Sequence, residues 1–192
     1  MKIVFIADFF VNQVLGGGEL NNEELLKILE DSSHQVIKIN SHLVNSQFIK
    51  KHHDAKFIIA NFINLREDCK KYITDTCDYV IYEHDHKYLT TRNPGVFPDF
   101  IAPKEHVINL EFYQNANAVL CQSSFHADIA QKNTELDNIV NLGGNIWDMD
   151  SLKFMSEQAK IEKQPTYAIM NSQIKHKNTV GAIRFCNAKG YD

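Results

Sequence analysis

Residues 2–31 read KIVFIADFFVNQVLGGGELNNEELLKILED, and they set the architecture. Lys2 to Ala7 is an apolar, β-rich run that stops at Asp8. A loop follows and closes on Gly16-Gly17-Gly18. From Glu19 to Asp31 the apolar residues Leu20, Leu25, Leu26 and Leu29 recur at helical spacing, with carboxylates crowded into the first half, where a helix dipole favours them. A buried strand, a glycine turn and an amphipathic helix form the opening unit of an α/β fold.

The same alternation continues outward. His34 to Ile39 reads as a second strand, and Phe57 to Ala60 as a third, with a helical stretch to about Thr74. Tyr79 to Tyr82 is a fourth strand and ends at Glu83-His84-Asp85-His86. A long loop with Pro94, Gly95, Pro98 and Pro103 follows, and Glu105 to Ala116 reads as a helix. Ala118 to Cys121 is a fifth strand, Ser123 caps a helix through about Lys132, and Ile139 to Leu142 leads into Gly143-Gly144-Asn145. Strands separated by helices predict a parallel sheet with helices on both faces, its loops gathered along the carboxyl edge where such folds bind ligands.

This first domain is expected to span residues 1–156. The polar stretch 157–165, closed by Pro165, reads as a linker. Residues 166–192 read as the start of a second α/β unit, with a strand at Thr166 to Met170 and a helix at Asn178 to Ala188.

Composition narrows the partners. The 44% hydrophobic and 23% charged content is that of a globular domain, and a net charge of −4 gives no electrostatic reason for a nucleic-acid partner. The N-terminal apolar run is too short for a secretory signal, and no segment has the length of a membrane span. The four cysteines form no C-x-x-C pair, which fits free thiols and a cytoplasmic setting. Basic residues cluster only at Lys50-Lys51 and around Lys175-His176-Lys177.

Several stretches carry candidate chemistry. Gly16, Gly17 and Gly18 let a backbone approach a ligand at a helix N-terminus, or simply form a capped turn. The pattern is neither G-x-G-x-x-G nor a P-loop, so no nicotinamide cofactor is expected. Glu19 would oppose a phosphate lying on the helix end, whereas a sugar hydroxyl is easier to accommodate. Glu83, His84, Asp85 and His86 are consecutive titratable groups at a strand end. They read as substrate or catalytic contacts, as a weaker metal site through His84 and His86, or as a solvated loop. Arg92 either holds an anionic or hydroxyl-rich group or anchors the long loop. Ser123 reads foremost as a helix cap, with His126 in the first turn facing either cleft or solvent. Trp147 could stack on a sugar or pack a domain edge.

Taken together, Gly16-Gly17-Gly18-Glu19, Glu83-His84-Asp85-His86, the run Ala116 to His126 and the hinge-like Asn141 to Asn145 resemble the N-terminal domain of GT-B glycosyltransferases. The nearest group is the family-4-like, generally retaining one. The resemblance implies two Rossmann-like domains around a cleft, a nucleotide-sugar donor held mostly by the second, and a hydroxyl acceptor held by this one. It implies no metal and no cofactor. His84 and Asp85 would lie near the reacting carbon and acceptor hydroxyl. Gly16, Gly17 and Gly18 would lie beside the donor diphosphate and sugar, and His86 and Arg92 would hold the acceptor. Glu83, Ser123 and Asn145 join them as candidate substrate contacts on the same edge. The chain is expected to carry the acceptor half alone, inactive by itself and able to pair with another copy. The alternative reading is a stand-alone flavodoxin-like or response-regulator-like binding module without catalytic activity.

Overall fold

The computed structural model describes residues 1–173 and 177–191. Among them six strands form one sheet: β1 (Lys2–Ala7), β2 (Gln35–Asn40), β3 (Lys56–Ile59), β4 (Asp78–Glu83), β5 (Ala118–Cys121) and β6 (Ile139–Asn141). Every pairing is parallel, in the order β2-β1-β3-β4-β5-β6. The strands are short apolar runs because a sheet covered on both sides buries alternate residues in opposite directions. Helices are α1 (Gly17–Asp31), α2 (Ser46–Lys51), α3 (Glu67–Thr76), α4 (Leu110–Gln114) and α5 (Ser124–Thr134). The fold is Rossmann-like α/β, as the sequence predicts.

Two apolar cores separate on the two faces. Phe5, Ala7, Ala60 and Tyr82 pack with Leu26 of α1. Val4, Ile6, Phe57, Ile59, Tyr79, Ile81, Val119 and Cys121 pack with residues of α2 to α5, including Ile49, Ile73, Phe112, Tyr113 and Ala130. The order reverses direction between β1 and β3. Sheets of this kind bind ligands at the carboxyl ends of the strands that flank such a reversal.

Asp8 holds that point together. Its buried carboxylate accepts hydrogen bonds from the backbone N–H of Ile63 (2.9 Å) and Asn64 (3.0 Å) and from the Ser41 hydroxyl. The loop after β3 is thus tied to the end of β1.

Two local expectations fail for identifiable reasons, and one short helix was not expected. The helix predicted over Glu105 to Ala116 is reduced to α4, preceded by a single 3-10 turn at Lys104–His106. Tertiary hydrogen bonds from Thr90 N to the His106 carbonyl (2.9 Å) and from Ile108 N to the Tyr88 carbonyl (2.8 Å) draw this segment out, and Asn109 is left-handed at φ 57°. Thr166 to Met170 is no strand: it pairs with no other described strand, and the Met170 carbonyl accepts instead from the Thr179 hydroxyl (2.7 Å). The short helix α2, capped by the Asn45 side chain on Phe48 N (3.0 Å), has no counterpart in the sequence reading.

The chain divides into two compact units, Met1–Asp148 and Met149–Asp192. The second contains α6 (Met149–Lys160) and α7 (Thr179–Lys189), with Tyr167 stacked on Tyr191 at 4.2 Å. Helix α6 runs into the start of the expected linker, because Ser156 to Lys160 continue its helix-favouring composition. Lys175 and His176 of the basic cluster lie outside the described residues. No described helix is long and apolar enough to cross a membrane.

Replacing Asp8 by Ala strands two loop N–H groups, and is expected to cost about 2 kcal/mol of unfolding free energy. Urea denaturation measures it; a midpoint unchanged from wild type would show that the tie is dispensable.

Candidate functional site

Strand β4 delivers side chains alternately to the two faces at the carboxyl edge. Tyr82 and His84 point toward α1, their rings 4.5 Å apart and edge-on. Glu83 points the other way, into the core beside α4.

Glu83 is completely buried. Its carboxylate accepts from the Asp85 backbone N–H (2.9 Å), the Lys87 ammonium (3.1 Å) and the Tyr113 hydroxyl. Burial alone would raise its pKa, but Lys87, Tyr113 and the backbone donor outweigh burial and hold it down at about 2. Lys87, equally enclosed, keeps its proton: desolvation opposes the charge, while Glu83 and Asp85 overcome it. Its ammonium also lies over the Phe62 ring at 5.8 Å. Burial and the neighbouring Glu83 charge push the Tyr113 hydroxyl far above its usual range. Asp85 completes an ion cluster by pairing with Lys87 and with Arg92 at 3.2 Å, and its side chain stays 41% exposed.

On the α1 side the chemistry is neutral. His84 Nε2 meets Asn22 Oδ1 at 2.8 Å, and Gln122 Nε2 meets His84 Nδ1 at 2.7 Å. With Gln122 donating to Nδ1, the proton of the neutral ring sits on Nε2 and is given to Asn22. Desolvation, reinforced by Lys87, lowers the His84 pKa to about 4. Gly18 lies against this ring: a Cβ there would be 3.7 Å from His84 Cγ and 4.0 Å from Asn61 Nδ2. Asn21 accepts from the Tyr82 hydroxyl and donates to the Ile146 carbonyl at 3.2 Å, tying the segment after β6 to α1.

Beyond Asp85 the loop turns through His86, left-handed at φ 54°, and Arg92 at φ 51°. His86 Nδ1 lies 2.6 Å from the Tyr88 hydroxyl, and its ring packs on His126 with centroids 4.4 Å apart. Burial, aided by the neighbouring His126, lowers His86 to about 4, and burial lowers His126 in the same direction.

The expected site residues therefore fall into distinct settings. Gly18 and His84 meet directly. Asp85, His86 and Arg92 share the loop beyond them. Gly16 is the extended N-cap of α1 and Gly17 its first residue. Glu83 is sealed in the core and reaches the site only through Lys87 and Asp85. Ser123 caps α5 by accepting from His126 N at 3.1 Å. Asn145 lies exposed beyond β6, one residue before the Ile146 carbonyl held by Asn21. The sequence reading passed over Asn21, Asn22, Asn61 and Tyr113. Asn22 alone had a signal, standing one helical turn after Gly18 and so on the same face. Among the described residues no group of three or more His, Cys, Asp or Glu could hold a metal ion.

The depressed histidines set a pH dependence. A histidine with a folded pKa near 4 against 6.5 when unfolded binds its proton more readily in the unfolded chain. Its contribution to stability is complete above 6.5 and is lost as pH falls toward 4, at about 1.4 kcal/mol per pH unit per proton. Glu83 extends the loss, from its ordinary 4.5 down to about 2. Urea denaturation across this range should show His86→Phe flattening the upper part of the profile, whereas equal slopes for variant and wild type would refute the assignment. No protein-family model matches the chain and no curated protein matches it, so the reading of this edge stands on its own chemistry.

Proposed function

We propose that the chain is the acceptor-side half of a glycosyltransferase that moves a sugar from a nucleotide-sugar donor to an acceptor hydroxyl, with retention. The observation that carries the reading is the meeting of Gly18, His84 and Gln122 at one sheet edge, with the Asp85–Arg92 pair on the adjoining loop. A wall of neutral amides and imidazole beside a half-exposed carboxylate and guanidinium suits a polyhydroxylated ligand, whose hydroxyls both donate and accept. In this reading His84 is a fixed neutral donor and acceptor rather than a proton carrier, because both its nitrogens are engaged. Asp85 would accept a hydrogen bond from the acceptor hydroxyl, and Arg92 and His86 would orient the same molecule. Closure of a donor-binding lobe over this edge would exclude water and favour transfer over hydrolysis. The free cysteines agree with a cytoplasmic enzyme.

A second reading draws on the strand order. β2-β1-β3-β4-β5 is the flavodoxin-like arrangement, to which β6 is added. A stand-alone binding module would need nothing more.

Glycan-array binding by the purified chain separates the two. The expected result is one class of oligosaccharide bound, and bound roughly tenfold more weakly by the His84→Ala, Asp85→Ala double variant. Equal binding by the variant, or no glycan bound, would overturn the transferase reading. Flavin mononucleotide bound in place of glycans would support the module.

A further inference from the structure

A groove of about 390 Å³ runs between α3 and the first turn of α4. Glu67, Lys70, Lys71 and Thr74 line one wall, sharing a face of α3 at helical spacing, and Asn109 and Glu111 stand on the other. None of them belongs to the sheet-edge site. Lys70 is the buried charge of the groove. Its side chain is 10% exposed, and its ammonium lies over the Phe62 ring at 5.4 Å. Two acceptors meet the ammonium, Glu67 Oε1 at 2.7 Å and Asn109 Oδ1 at 2.9 Å. Asn109 is held from its other end, where Nδ2 donates to the Lys87 carbonyl (2.9 Å). An ammonium has three N–H donors, so one finds no hydrogen-bond acceptor among the described residues. Nor is it sealed from the groove, because the Glu67 side chain that it touches is 84% exposed.

Charges of both signs line this groove in equal number. Glu67 gives one carboxylate oxygen to Lys70 and keeps the other open. The Glu111 carboxylate makes no ion pair or hydrogen bond among the described residues. Lys71 pairs loosely with Asp75 at 3.4 Å, both side chains being exposed. A plain anion drawn to Lys70 therefore meets two carboxylates, and a plain cation drawn to these meets two lysines. A neutral ligand satisfies neither sign. A small molecule that carries both charges satisfies both: its carboxylate takes the open donor of Lys70 and its ammonium the open oxygen of Glu67. The resident ion pair is then extended instead of broken, so the ligand does not have to offset its loss.

We infer that the groove between α3 and α4 is a second binding site, for a small zwitterion of the amino-acid type, with Lys70 gripping the carboxylate and Glu67 the ammonium. Glu111 and Lys71 add the outer pair of charges that reject ligands of one sign. Nothing in this site depends on glycosyl transfer, so failure of the glycan test leaves it standing.

The test compares L-alanine with its two halves, propionate and ethylamine, each lacking one of the charges. They are titrated separately at constant ionic strength into isotope-labelled protein. The Asn109 side-chain amide and the Thr74 backbone amide are the reporters. Alanine is expected to shift both signals saturably, and each half to bind roughly tenfold more weakly. Glu67→Gln alters an exposed side chain and does not threaten folding. It is expected to reverse the preference: alanine weakens roughly tenfold, while propionate gains because Lys70 has lost its resident carboxylate. Lys70→Met is expected to abolish binding of both, and Glu67→Gln decides alone if that variant does not fold. Alanine that leaves both reporters unmoved would overturn the proposal. So would propionate or ethylamine binding wild type as tightly as alanine, a Glu67→Gln chain with its preference unchanged, or a folded Lys70→Met chain that binds alanine as its parent does.

Discussion

The arrangement of the candidate site depends on one buried ion pair. Glu83 ends β4 with its carboxylate fully enclosed, and such a charge is tolerable only when every lone pair is engaged. Lys87, Tyr113 and the Asp85 N–H engage them. The consequence is geometric. Lys87 lies four residues after Glu83 in a segment that is not helical, so the chain must loop back on itself between them. That forced return carries Asp85 outward and sets His86 against His126 on α5. Because neighbours on a strand point to opposite faces, the same anchoring turns His84 toward α1.

Two half-sites of unlike character result. Around His84 on the α1 side stand neutral groups, namely amides, a phenol and an imidazole held uncharged. On the loop side stand paired charges, with Asp85 and Arg92 at the solvent boundary. A ligand spanning both would present hydroxyls to the first and a polar or charged group to the second. Glu19 biases the first half further, since a carboxylate at a helix N-terminus stabilises the helix and repels an incoming anion through one and the same field.

Much of the scaffold was legible in the sequence because the central strands β1, β3, β4 and β5 carry short unbroken apolar runs, and a strand covered on both faces needs just that. The chemistry was legible only as density. Glu83 to His86 stood out as consecutive titratable groups, yet nothing in that string separates the buried carboxylate from the half-exposed one. The difference is made by Tyr113, thirty positions further on, whose hydroxyl reaches Glu83 only in the folded chain. Asn61 was invisible for a similar reason, and Asn22 showed only its place one helical turn after Gly18, since an asparagine becomes informative when burial leaves one of its atoms unpaired. Thr166 to Met170 misled in the opposite sense: β-rich composition makes a strand only where a neighbouring strand supplies the ladder. The helix expected from Glu105 shortened because hydrogen bonds to Thr90 and Tyr88 compete for its first turn.

The loop after β4 carries a cost that bears on how the site works. His86 and Arg92 both adopt left-handed backbone, which costs an L-residue about 1–2 kcal/mol. That conformation persists because its surroundings over-determine it. His86 is fixed by Tyr88 and His126, Arg92 by Asp85, and the turn between them by hydrogen bonds from Leu89 N to the His86 carbonyl (2.9 Å) and from Arg92 N to the Leu89 carbonyl (3.1 Å). A segment restrained at so many points loses little further entropy when it binds, so its polar groups meet a ligand already oriented. The loop is therefore better suited to positioning than to closing, and any exclusion of water from this edge has to come from elements other than the loop itself.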